Sequence, residues 1–132
     1  MTSSLHHLAL TAADLAKTAE FYDALLRAVG YERTLTSERL CVWGGQHPEV
    51  LLYKVEDEDT SPHRKGRPGL QHLALKVPGR ETVEAAHGAV AAGGWTVAIP
   101  PQLHPDNAED YFAVFVEDPD GSRWEIFSSE AF

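Results

Sequence analysis

The chain has one cysteine, one methionine, few basic residues and no long apolar run. Each shortage excludes something. A lone cysteine, Cys41, leaves no internal disulfide to form, which fits a reducing compartment. Within "RLCVWGG" it reads as a small buried strand residue rather than a nucleophile. Eleven lysines and arginines stand against twenty aspartates and glutamates, a net charge of −9. Such a surface repels phosphate backbones and anionic lipid, so neither nucleic acid nor membrane is an expected partner. No run approaches the roughly 18 apolar residues of a spanning helix. The opening "MTSSLHHLAL" lacks the basic stretch and apolar run of an export signal, so the expected location is cytoplasmic. At 132 residues the chain suits a single domain, 1–132.

What is present is a repeat. "LHHLAL" at 5–10 returns as "LQHLAL" at 70–75. The first copy leads into "ADLAKTAEFYDALLRAVG", where Leu15, Ala19, Tyr22, Leu25, Leu26 and Val29 recur at helical spacing, with Asp14 as N-cap and Gly30 as terminator. Three strand-like runs follow, at 31–35, 39–44 and 49–55. Residues 56–69, "EDEDTSPHRKGRPG", are charged and turn-forming and read as a linker. The order then restarts with a strand at 70–77, a helix bearing Val83, Ala86, Ala89 and Val90 on one face, and strands at 95–99, 111–117 and 122–128. "DPDG" at 118–121 supplies a hairpin turn. His7 and His72 lie 65 residues apart, and Gly30 and Gly94 lie 64 apart. The pattern predicts an α+β fold of two βαβββ modules, 5–55 and 70–130, with the 56–69 linker between them.

Strand parity sorts the repeated residues. His6, Leu8 and Leu10 share one face, and His7, Ala9 and Thr11 the other. In the second copy Leu73, Leu75 and Val77 oppose His72, Ala74 and Lys76. The leucine faces must cover core, so His7 and His72 point away from it. In the last strand Arg123, Glu125 and Phe127 share a face, which joins that of the two histidines if the sheet is continuous. Two imidazoles and a carboxylate form a facial set for a divalent metal. His6, His47, His63, His87 and His104 receive no ligand role.

"HHLALTAADLAKTAEFYDALL", the repeated "QHLALKV" and "FVEDPDGSRWEIF" together resemble the vicinal oxygen chelate superfamily, which includes glyoxalase I, extradiol dioxygenases and the fosfomycin- and bleomycin-resistance proteins. The resemblance implies a cup-shaped mixed sheet with helices on its outer face. It also implies a divalent metal (Fe(II), Mn, Ni, Co or Zn) on His7, His72 and Glu125, and a homodimer. It points to lyase, isomerase or dioxygenase-like chemistry on an oxygen-rich small molecule, with a non-catalytic drug-sequestering protein as the alternative. Trp43, Tyr53, Tyr111 and Arg123 are the expected pocket residues, and no general base is named. The departures count against particular members. A four-ligand glyoxalase I carries another glutamate in the last strand of the first module, and the matching position falls at about Leu52. Extradiol enzymes carry a tyrosine ten residues before the ligand glutamate. Here that position is Phe115, and Tyr111 lies four residues earlier.

Overall fold

A computed structural model describes all 132 residues. In chain order the elements are β1 (His7–Ala12), α1 (Leu15–Ala28), β2 (Glu32–Thr36), β3 (Leu40–Gly44), β4 (Glu49–Lys54), β5 (Leu73–Lys76), α2 (Arg80–Ala92), β6 (Thr96–Leu103), β7 (Phe112–Glu117) and β8 (Arg123–Ser128). This is βαβββ twice. Each module makes its own four-stranded mixed sheet, in the order β1-β4-β3-β2 and β5-β8-β7-β6. In both, the first strand pairs parallel with the fourth, and the other pairings are antiparallel. The sheets do not close into a barrel, and no strand of one touches a strand of the other.

The local causes follow the sequence closely. Asp14 caps α1, its Oδ1 accepting from the Lys17 backbone N–H at 3.2 Å. Leu8 and Leu10 pack against the core, as do Leu73 and Leu75, while His7, Ala9 and Thr11 stay exposed. The alternation leaves one face of each sheet in the core; the other is exposed along β1 and only partly covered in the second sheet, where Ala113 and Glu125 are buried.

The modules meet through helices rather than sheets. Helix α1 buries Thr18, Ala19, Phe21, Tyr22, Leu25 and Leu26, a stripe too wide for a single partner. It packs on its own sheet and also on α2. Phe21 meets Trp95 edge-on at 5.7 Å, and Tyr22 meets Trp124 at 5.8 Å. A hydrogen-bond chain reinforces the junction. Trp124 Nε1 donates to the Tyr22 hydroxyl at 3.1 Å, and that hydroxyl donates to Asp118 at 2.5 Å. Asp120 accepts from the Ala13 backbone N–H and the Thr18 hydroxyl. The "DPDG" segment is therefore more than a hairpin turn, because its two carboxylates lock the second module onto the first.

Candidate functional site

Glu125 lies in β8, in register with Ala74 of β5 on one side and Phe115 of β7 on the other. His72 stands just before β5, on the Ala74 face. That register brings His72 Nε2 to 3.1 Å from Glu125 Oε1. The other carboxylate oxygen, Oε2, accepts the Tyr111 hydroxyl at 2.5 Å. Glu125 is only 4% exposed, and Tyr111 is nearly as buried. Burial raises the Tyr111 phenol well above its ordinary range, and the hydrogen bond and charge of Glu125 raise it further. Tyr111 is thus a fixed donor. Gln71 holds His72 from behind through Nδ1 at 2.5 Å.

The surroundings are aromatic. Tyr111 stacks on Phe127 at 4.6 Å and 6°. The Phe115 ring lies between those of His72, at 5.6 Å, and His104, at 5.7 Å. His104 went unassigned in sequence, yet it borders this cluster with a buried Nε2 that has no hydrogen-bond partner. Its backbone N–H donates to the Tyr111 carbonyl at 2.7 Å, which ties it to the site. Only the bulged β6–β7 pairing brings it there, so strand parity had no means of finding it.

The other expected residues are dispersed. His7 is exposed on the first sheet, and its Nδ1 lies 3.0 Å from His6 Nδ1. It does not join His72 and Glu125, and no three His, Cys, Asp or Glu side chains converge in the chain as metal ligands. The single facial set expected of a continuous sheet is therefore split, because the sheets are separate. Trp43 is not a pocket residue. It is fully buried, its Nε1 donating to Asp23 at 3.0 Å, and it pairs with buried Val50 on the core side. Arg123 shares the Glu125 face, but its guanidinium is committed to Glu117, at 3.1 and 2.9 Å. Tyr53 is 42% exposed and in register with Thr11, on the His7 face. Leu52 also needs correction as the missing-ligand position. It is wholly buried beneath the sheet, and the β4 residue that matches Glu125 is Leu51, in register with Ala9 as Glu125 is with Ala74.

A divalent metal needs three protein ligands to be held securely with open positions left for substrate. One chain supplies two adjacent donors, His72 and Glu125, and carries a third of the right type, His7, on the uncovered face of its other sheet. The donor chemistry fits a metal, and the donor count within one chain does not.

Residues 4–126 match the Glyoxalase/Bleomycin resistance protein/Dioxygenase superfamily, and the chain belongs to it. It is similar to the uncharacterized protein YqjT of Bacillus subtilis, 26% identical over 92% of this chain and 96% of that one. A Bacillus halodurans protein assigned to the glyoxalases superposes with a TM-score of 0.78 at 27% identity, covering 95% of each chain. The genomically encoded fosfomycin resistance protein FosX of Listeria monocytogenes has the same fold, with a TM-score of 0.72 at 17% identity over 98% of this chain and 95% of that one.

Proposed function

We propose that this superfamily member is a small metal-dependent enzyme acting on an oxygen-rich small molecule, with each site shared between two copies of the chain. The carrying observation is the His72–Glu125 pair, 3.1 Å apart, with Tyr111 fixing the second carboxylate oxygen. His72 and Glu125 of one copy and His7 of another would hold the metal. A bound divalent ion would supply Lewis-acid stabilisation of a substrate oxygen as negative charge develops. The chain's own residues do the rest. Glu125 presents Oε1 toward His72 because Tyr111 occupies Oε2. The Tyr111 phenol keeps its proton, so it orients the carboxylate and does not act as a base. Phe115 and Phe127 exclude water from one side.

Two sheet faces turned away from the core support a shared site. The His7 face carries half-exposed Tyr53, and the Glu125 face carries Phe115 and Phe127. Two copies apposing unlike faces would cover both and unite three ligands at each of two sites.

Elemental analysis of protein purified without chelator tests the metal, with about one divalent ion per chain expected. Loss of binding in His72→Ala is the companion result, and unchanged binding there would sink the reading. Mixing His7→Ala with Glu125→Ala chains tests sharing. Hybrids regain binding that neither variant has if the site is shared, and gain none if it is not. A second reading, metal-independent sequestration of a cationic drug, draws on the net charge of −9 and the aromatic wall. A melting temperature raised by a cationic glycopeptide in the presence of chelator would favour it.

A further inference from the structure

We propose that the C-terminal end of β4 carries a separate recognition pocket for a small organic monoanion with an apolar body. A cavity of about 340 Å³ opens there, lined by Arg39, Tyr53, Lys54, Val55 and Glu56. The placement of its two cations is fixed by the β3–β4 ladder. Leu40 pairs with Tyr53, so Arg39 falls opposite Lys54, and the Lys54 backbone N–H donates to the Arg39 carbonyl at 2.9 Å. Like charges directly opposite one another across an antiparallel pair are destabilising. Three other arginines are neutralised. Arg27 and Arg33 share Asp23, and Arg123 holds Glu117. Neither Arg39 nor Lys54 has a carboxylate within 4.0 Å. In a chain of net charge −9, an unrelieved cationic pair in a cavity is a place for an anion to bind.

The remaining lining narrows the ligand. Glu56 offsets one of the two positive charges, leaving room for one negative charge and repelling a polyanion. Tyr53 is 42% exposed and Val55 adjoins it, so an aromatic or aliphatic body has a surface to lie on. A carboxylate with an apolar body has this chemistry. The pocket needs neither the metal nor the second copy. If the shared-site reading holds, it gains a role as well. Tyr53 is in register with Thr11 on the His7 face, about 13 Å along β1 from His7 at roughly 3.3 Å per residue. It would then receive the anionic tail of a substrate whose oxygens reach the metal.

The test is a backbone amide chemical-shift titration of the full chain in EDTA, using sodium benzoate as probe, with benzyl alcohol and pyrophosphate as controls. Benzoate is expected to move the amides of Arg39 and of residues 53–56 saturably, benzyl alcohol not to, and pyrophosphate to bind more weakly. Arg39→Gln and Lys54→Gln should each weaken benzoate at least fivefold, Arg39→Lys should retain it, and Glu56→Gln should admit pyrophosphate. Arg39→Gln and Lys54→Gln should also melt higher than the parent without ligand, since each removes the like-charge pair. The proposal is overturned if benzoate shifts do not saturate, if benzyl alcohol reproduces them, if the double glutamine variant binds as the parent does, or if pyrophosphate outcompetes benzoate in the parent. Because EDTA is present throughout, failure of the metal reading would leave the result intact.

Discussion

The Tyr111 hydroxyl donates to Glu125 Oε2 at 2.5 Å, joining a residue just before β7 to one inside β8. The bond satisfies one oxygen of a carboxylate that is almost fully buried, and burying such a group without a donor is costly. Tyr111→Phe removes the hydroxyl and keeps the stack on Phe127. Its stability loss therefore reports the hydrogen bond alone. Hydrogen bonds to charged groups contribute about 1.5–3 kcal/mol, so urea unfolding at neutral pH should show a loss of that order. A loss indistinguishable from zero would mean that Glu125 reorients to another donor.

Asp118 gives a pH signature. Burial pushes its carboxyl above the ordinary range, outweighing the Tyr22 hydroxyl and the Ser122 and Asp120 backbone N–H groups that favour the charged form. With the folded value above the unfolded one, the folded state binds more protons. That contribution is complete below the unfolded value, about 3.9, and is lost as pH rises through the folded value. Asp118→Asn cannot titrate. The stability of the parent relative to this variant should fall as pH rises from 4 and level off once Asp118 is ionised, as measured by urea unfolding at stepped pH. A difference that grows with pH would reverse the assignment.

Asp23 should behave in the opposite sense. Burial alone would push its carboxyl up, but hydrogen bonds from Arg33 and Trp43 and the nearby arginine charges together bring it below the usual range. Its contribution is present above about pH 3.9 and is lost as pH falls through the folded value. Asp23→Asn should therefore destabilise the protein at neutral pH, and the deficit should shrink on acidification. A loss of about 1.5–3 kcal/mol is expected, since the variant gives up a charge-assisted bond to Arg33 Nη2 at 2.6 Å. Equal deficits at neutral pH and at a pH well below the ordinary carboxylate range would show that packing beside Trp43, not charge, sets the effect.

These carboxylates mark where sequence reading reached its limit. The repeated "LHHLAL" and "LQHLAL" disclosed both modules, and parity within one strand separated His7 and His72 from the leucines beside them. Pairing Glu125 with His72 needed only the assumption that β5 and β8 share a sheet. Leu52 failed because a one-residue error in register flips a side chain to the other face. Trp43 failed for a related reason, since alternation in "RLCVWGG" defines two faces without saying which is buried. The separation of His7 from Glu125 was not legible at all. It depends on α1 packing against α2 and Trp124, contacts between residues distant in the chain. The carboxylates of "DPDG" likewise looked like turn chemistry, while their partners Tyr22 and Thr18 lie about a hundred positions away.

That turn yields a last prediction. Gly121 has φ +87°, a left-handed conformation that costs a residue with a side chain roughly 1–2 kcal/mol. Space is tighter still, because a Cβ at this position would lie 1.9 Å from the His63 carbonyl oxygen. The contact is with backbone, and that backbone is itself held, since the His63 N–H donates to the Asp120 carbonyl at 2.8 Å. Gly121→Ala must therefore displace either the linker or the turn, and moving the turn disturbs Asp118 and Asp120 together. The expected cost exceeds the conformational term alone, more than about 2 kcal/mol. Amide exchange should quicken around residue 63 and at the Ala13 N–H that Asp120 accepts. Gly66→Ala is the matched control, with φ +94° but open space around the added Cβ, so it carries the conformational cost without the clash. If the two variants lose equal stability, the linker is not anchored at His63 and yields without effect on the module junction.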